Sequence, residues 1–248
     1  MHEPLLRLEG VTKNFGGVIA NNDISFEIGK GEIVGLVGPN GCGKTTLFNC
    51  ITGFNPPTKG EVYFEGKNIA GLAPNKVCKK GIARTFQLVK ALPALTVVEN
   101  VMIGALSNTN DVAKARKKAE EVIEFINFPT LTAMKNSPAS DLTTIDKKVL
   151  EIMRAYATGP KLLMLDEVMA GLNPSEVVSA LDIIRNIRAQ GVTLIVIEHL
   201  MQVIMNISDR VIVMEAGKKL TEGSPEEVVH DERVIKAYLG ANFHAKNK

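Results

Sequence analysis

Residues 38–46 read "GPNGCGKTT" and follow directly on the apolar run "EIVGLVG" at 32–38. A continuous apolar run of this length is a strand covered on both faces, as in a parallel sheet. The segment after it has the spacing G-x-x-x-x-G-K-[ST], which requires a strand before it and a helix after it. Its glycines let backbone N–H groups close on phosphate oxygens, and the helix start adds positive potential. Gly38, Pro39, Asn40, Gly41, Cys42, Gly43, Lys44, Thr45 and Thr46 thus form a candidate phosphate cradle. Lys44 can reach the β- and γ-phosphates of a nucleotide, and the Thr45 hydroxyl can ligate Mg²⁺. The expected helix runs from about Lys44 to Gly53, where "NPPTKG" breaks the chain.

The rest of the chain alternates in the same way. "LLRLEGVTKNF", "NNDISFEI" and "EVYFEGKNI" are short, partly alternating strands separated by turn residues. From about Leu88 to Tyr156 the periodicity is helical, most clearly in "TVVENVMIGAL" and over 111–127. "KLLMLDE", "VTLIVIEH" and "RVIVMEAG" are then three apolar strands, with a helix over 174–189 between the first two. This is βαβ rhythm around a parallel sheet, with a helical lobe inserted into it.

Composition narrows the partners. The 248 residues carry a net charge of +2, which gives no reason to expect nucleic acid. The basic stretch "KARKK" falls on the wet face of a helix whose other face is Ala115, Ala119, Val122, Ile123 and Ile126. The odd cysteine count, Cys42, Cys50 and Cys78, argues against a disulfide framework and suits a reducing compartment. "MHEPLLRLEG" is no signal peptide, and no apolar run approaches the ~20 residues that span a bilayer. A soluble protein that docks on a membrane partner fits these features.

"KLLMLDE" supplies the second half of the chemistry. Its apolar residues bury the strand and deliver Asp166 to the strand end, where a carboxylate can hold Mg²⁺. Glu167 beside it can polarise water as a general base. The pair favours nucleotide hydrolysis over phosphoryl transfer to a metabolite.

The order of these motifs resembles the ATP-binding subunits of ABC transporters, over nearly the whole chain. The resemblance implies an α/β P-loop NTPase core with a parallel sheet, an antiparallel β subdomain and an inserted helical subdomain. The expected division is 1–87 and 157–248 for the core and 88–156 for the helical subdomain. Gln87 in "ARTFQLV" matches the glutamine loop that senses Mg²⁺ and the attacking water. "AGLNP" at 170–174 matches the loop that crosses to the partner subunit, and His199 the histidine that contacts the γ-phosphate. Phe15 in "KNFGG" matches the aromatic that stacks on adenine; the plainer reading of that residue is a core phenylalanine. Cys42 inside the cradle suggests ATP binding sensitive to thiol reagents.

"FGGVIANNDISFEI", "FNCITGFNPPTKGEV", "RTFQLVKALPALTVVENVMIG" and "GSPEEVVHDERVIKAYLG" look most like the branched-chain amino acid uptake group. In that group ATPase subunits sit on the inner face of the cell membrane. They serve membrane permease subunits and an external substrate-binding protein. Subunits for urea, short amides or lipopolysaccharide export look similar. A soluble ABC-type ATPase of DNA repair or translation would carry a coiled coil, a zinc pattern or a second ATPase unit. A metabolite kinase would leave Gln87, "AGLNP" and His199 unexplained.

One segment departs from the family. Where its L-S-G-G-Q signature belongs, this chain has Leu142, Thr143, Thr144, Ile145 and Asp146. The family signature acts in trans, clamping ATP held by the other subunit's phosphate loop. Thr143 keeps a hydroxyl, whereas β-branched Ile145 crowds a place where backbone approaches phosphate. Thr143 and Asp146 also have the spacing of a capping box, which commits the helix N-terminus to an internal carboxylate. Either the segment clamps ATP by a different backbone geometry, or it is degenerate. The degenerate form favours a heterodimer in which another subunit supplies the signature for this chain's own ATP.

Overall fold

A computed structural model describes residues 3–87 and 91–239. The expected start of the helical subdomain, Leu88, lies outside them. The chain forms two compact units, one from residues 1–74 and 193–248, the other from 75–192.

In the first unit, β1 (Leu6–Phe15) and β2 (Val18–Ile28) form a hairpin in register from Leu6↔Ile28 to Phe15↔Val18. With β4 (Lys59–Phe64) and β5 (Lys67–Asn68) they make an antiparallel sheet ordered β2-β1-β4-β5. Leu6, Leu8, Val11, Ile24, Phe26, Ile28, Val62 and Phe64 are buried while their neighbours alternate outward, as a one-sided sheet requires. In the same unit β3 (Ile33–Val37) lies parallel between β8 (Thr193–Ile197) and β9 (Arg210–Glu215). Every residue of β3 and β8 is buried, which explains their unbroken apolar sequence. β10 (Lys218–Gly223) returns antiparallel on β9. Helices α1 (Lys44–Ile51), α8 (Met201–Ile207), α9 (Pro225–His230) and α10 (Glu232–Leu239) complete this unit.

The second unit opens with α2 (Pro74–Lys79) and pairs β6 (Ile82–Arg84) in parallel with β7 (Leu162–Asp166). Between β6 and β7, among the described residues, lie α3 (Val97–Ala105), α4 (Val112–Ile126), α5 (Pro129–Ala133) and α6 (Thr144–Tyr156). The buried face of α4 is Ala115, Ala119, Val122, Ile123 and Ile126, as its periodicity predicts, and its lysines face outward. Gly104 of α3 lies so close to α6 that an added Cβ would stand 2.0 Å from the Arg154 carbonyl oxygen. After β7, α7 (Pro174–Ala189) starts on an Asn173–Glu176 capping box with Pro174 in its first turn. Its limits are those expected from the sequence.

Candidate functional site

In the first unit the cradle residues join the end of β3 to α1. Gly38 has φ +151, and a Cβ there would lie 2.1 Å from the Met214 carbonyl oxygen. Gly43 has φ +102, and a Cβ there would lie 2.3 Å from the Ala20 carbonyl oxygen. Both positions therefore exclude side chains twice over, by backbone angle and by space. The loop is braced from outside. The Gly217 N–H donates to the Cys42 carbonyl at 3.1 Å, and Asn21 Nδ2 donates to the Gly43 carbonyl at 3.1 Å.

Lys44 is buried, and its ammonium donates to the carbonyls of Gly38 at 2.7 Å and Pro39 at 3.2 Å. α1 begins at Gly43 with no side-chain cap and no acidic residue in its first turn. Its leading N–H groups thus keep the helix-end potential for an anion. Thr45 at the head of the helix is exposed. Cys42 corrects an expectation: it is buried, its Sγ packs 3.8 Å from the Lys44 Nζ, and burial pushes its thiol above the ordinary range. The Lys44 charge offsets only part of that rise, so little nucleophilic thiolate forms.

Phe15 closes β1 and is 47% exposed, which rules out the core role. The Lys13 ammonium lies 4.9 Å from its ring centroid, within cation–π range. Its neighbours across the hairpin tip, Val18 and Ile19, are exposed as well. The tip therefore presents an apolar surface with an aromatic ring. His199 is exposed, just past the end of β8.

In the second unit, Asp166 ends β7 fully buried. Arg84, the last residue of β6, places Nη2 2.9 Å from Asp166 Oδ2, with both side chains almost entirely out of solvent. Thr85 Oγ1 accepts the Asp166 N–H at 3.0 Å. The Arg84 guanidinium also lies 4.7 Å from the Phe86 ring centroid. Burial lowers the Arg84 pKa, and the Asp166 charge acts against that change.

Glu167 follows with φ +52, in the left-handed region that a glutamate rarely enters. Gln87 Nε2 donates to Glu167 Oε2 at 2.7 Å. Lys148 Nζ donates to the main-chain carbonyls of Glu167 and Ala170. Sequence reasoning named Asp166, Glu167 and Gln87 and missed Arg84, Thr85 and Lys148. One signal was present for Lys148: it shares a helical face with Ile152 and Ala155, both buried.

At the start of α6 the capping box forms as expected. Thr143 N and Oγ1 donate to Asp146 Oδ2 at 3.1 and 2.6 Å, and the Asp146 N–H returns a bond to Thr143 Oγ1 at 3.4 Å. Leu142 and Asp146 are buried, Thr143 and Thr144 are exposed, and Ile145 is half-buried. None of residues 142–146 has a positive φ. The glycine-free helix start is thus an ordinary capped one.

Comparison with known proteins places this geometry. Residues 21–170 match the family described as ABC transporter, and residues 218–244 match a branched-chain amino acid ATP-binding cassette transporter family. The high-affinity branched-chain amino acid transport ATP-binding protein BraF of Pseudomonas aeruginosa is 39% identical, over 97% of this chain and 99% of that one. The corresponding LivG of Escherichia coli is 38% identical with the same coverage. Among solved structures, a nucleotide-free ATP-binding cassette from an ABC transporter superposes with a TM-score of 0.87 at 32% identity, over 96% of this chain and 100% of that one. A dimeric cassette in a post-hydrolysis state bound to ADP and Pi superposes with a TM-score of 0.79 at 25% identity, over 89% of this chain and 98% of that one.

Proposed function

This chain belongs to the ABC transporter family and is an ATPase of that family; from that premise we propose that it binds and hydrolyses ATP to drive uptake of branched-chain amino acids. The observation that carries the cargo reading is the C-terminal match over residues 218–244, which adds to full-length identity with BraF and LivG. In this reading Gly38–Thr46 wraps the phosphates, Lys44 leaves its loop carbonyls for the β- and γ-phosphates, and Phe15 stacks on adenine. His199 contacts the γ-phosphate, Gln87 holds the attacking water, and Glu167 accepts its proton.

The donor set suits Mg²⁺, because the Thr45 hydroxyl, the Asp166 carboxylate and the Gln87 amide oxygen are all hard oxygen ligands. The ion would neutralise charge on the phosphates. Among the described residues no group of three or more His, Cys, Asp and Glu could hold a metal unaided.

Among the described residues no helix is long and apolar enough to cross a membrane. In this reading, which rests on the likeness to BraF and LivG, the membrane path belongs to permease subunits. The chain works at the inner face of the membrane, and an external substrate-binding protein, linked to it only through the permease, delivers the cargo. We place it in a heterodimer with a second ATPase subunit. The support is the Asp146 carboxylate, which occupies the helix start that would otherwise face the partner's ATP.

The deciding experiment reconstitutes the chain with its permease and second ATPase subunit in vesicles and follows labelled leucine, isoleucine and valine. ATP-dependent uptake abolished by Glu167→Gln is expected. Movement of urea or short amides in their place would overturn the cargo assignment. An ATP-dependent homodimer of the Glu167→Gln chain alone would overturn the heterodimer.

A further inference from the structure

Lys148 lies on α6 two residues beyond Asp146, and it is only 8% exposed. An ammonium in such a place must be hydrogen-bonded, because burial without partners is costly. Its Nζ lies 3.3 Å from the Glu167 carbonyl oxygen and also donates to the Ala170 carbonyl. The Ala170 N–H points back to the same Glu167 carbonyl at 3.4 Å. The ammonium therefore closes a turn whose first residue is Glu167, at φ +52. A left-handed glutamate persists only where its surroundings over-determine it. Here the residue is gripped at both ends, its carboxylate by Gln87 and its carbonyl by Lys148.

We infer that Lys148 is a positioning residue for Glu167: its buried ammonium holds the Glu167–Ala170 turn in the shape that aims the Glu167 carboxylate at Gln87. Because Lys148 belongs to α6, it also ties that carboxylate to the helix that starts at Thr143. The inference rests on the reading of Glu167 as general base.

The test is Lys148→Met, which keeps length and removes the donors, beside Lys148→Arg, which restores a cation and N–H donors. ATP hydrolysis is measured with the full chain in its transporter assembly, and affinity with a fluorescent ATP analogue. Expected are a kcat lower by about tenfold or more, an ATP KM within about twofold of the parent, and recovery by Lys148→Arg to within about threefold. A Lys148→Met chain that turns over at the parental rate overturns the inference. So does a KM that worsens in step with kcat, or no recovery by arginine, since either marks a diffuse structural role. Should Lys148→Met fail to fold, Lys148→Leu, which also removes the donors, is judged by the same kcat-against-KM split. Glu167→Gln in the same assay separates the two readings. If it leaves kcat unchanged, the base assignment fails; if it lowers kcat while Lys148→Met does not, only the positioning role fails.

Discussion

Gln87 Nε2 donates to Glu167 Oε2 at 2.7 Å, so the side chain next to Asp166 is held by the residue that resembles the family's glutamine loop. The bond fixes the direction of the Glu167 carboxylate without neutralising it. Glu167→Gln keeps the shape and removes the basic oxygen, and the new amide can turn its carbonyl toward the Gln87 N–H. ATP binding is expected to persist, and phosphate release to fall by about 10²–10⁴-fold, the usual share of general base catalysis. Single-turnover phosphate release and equilibrium nucleotide binding check the two halves. Parental turnover in the variant would remove the base role.

Arg84 and Asp166 make an ion pair of the opposite kind, one that water hardly reaches. Such a pair adds little over well-packed apolar residues, yet removing one partner strands the other charge. Arg84→Met is therefore expected to cost ~3–5 kcal/mol in stability. The double variant Arg84→Met/Asp166→Leu should cost clearly less than the two single changes together. Urea unfolding of the four chains gives the cycle. Additive losses would show that the pair is not a coupled unit.

What the sequence made legible was local pattern and family motif. "GPNGCGKTT" after a buried strand is a local pattern, since strand, turn and helix start are all set by neighbours in the chain. The helix over 174–189 and the buried face of α4 are legible for the same reason: period and caps are local. Arg84 and Lys148 escaped because their roles depend on partners 82 and 19 residues away, respectively. Arg84 lies in the stretch read for Gln87, and Lys148 in the helical segment read for its capping box. Cys42 escaped in the other direction. Its place beside Lys44 suggests a reactive thiol, but burial outweighs the nearby charge, and that balance is visible only in three dimensions.

Gly104 sets two local rules against each other. In a helix interior Gly→Ala ordinarily gains ~0.5–1 kcal/mol from the reduced freedom of the unfolded chain. At this position the new methyl would stand 2.0 Å from the Arg154 carbonyl oxygen and 3.1 Å from the Ala157 Cβ. Main chain cannot yield as the tip of a side chain can, so α3 and α6 must separate. Overpacking of ~1–3 kcal/mol outweighs the propensity gain, and Gly104→Ala is expected to destabilise. Thermal unfolding decides, and a raised Tm would show that the two helices part without cost.

Tyr238 on α10 gives the pH dependence that can be checked most directly. Burial disfavours its phenolate and pushes its pKa from 10.0 up to about 12, against a hydrogen bond from the Gly38 backbone that acts the other way. The nearby Cys42 adds to the rise. In the unfolded chain the same phenol ionises near pH 10. Between about pH 10 and about 12 the folded chain thus holds a proton that the unfolded chain has released, so unfolding releases protons and stability falls as pH rises. Below pH 10 the contribution is complete, because both states are protonated. Absorbance at 295 nm should show Tyr238 titrating about two pH units late, while burial also raises Tyr156 above its ordinary range. Tyr238→Phe should remove that late step and flatten the loss of Tm over the same interval. If all three tyrosines ionise together near pH 10, the phenol is not buried against the phosphate loop.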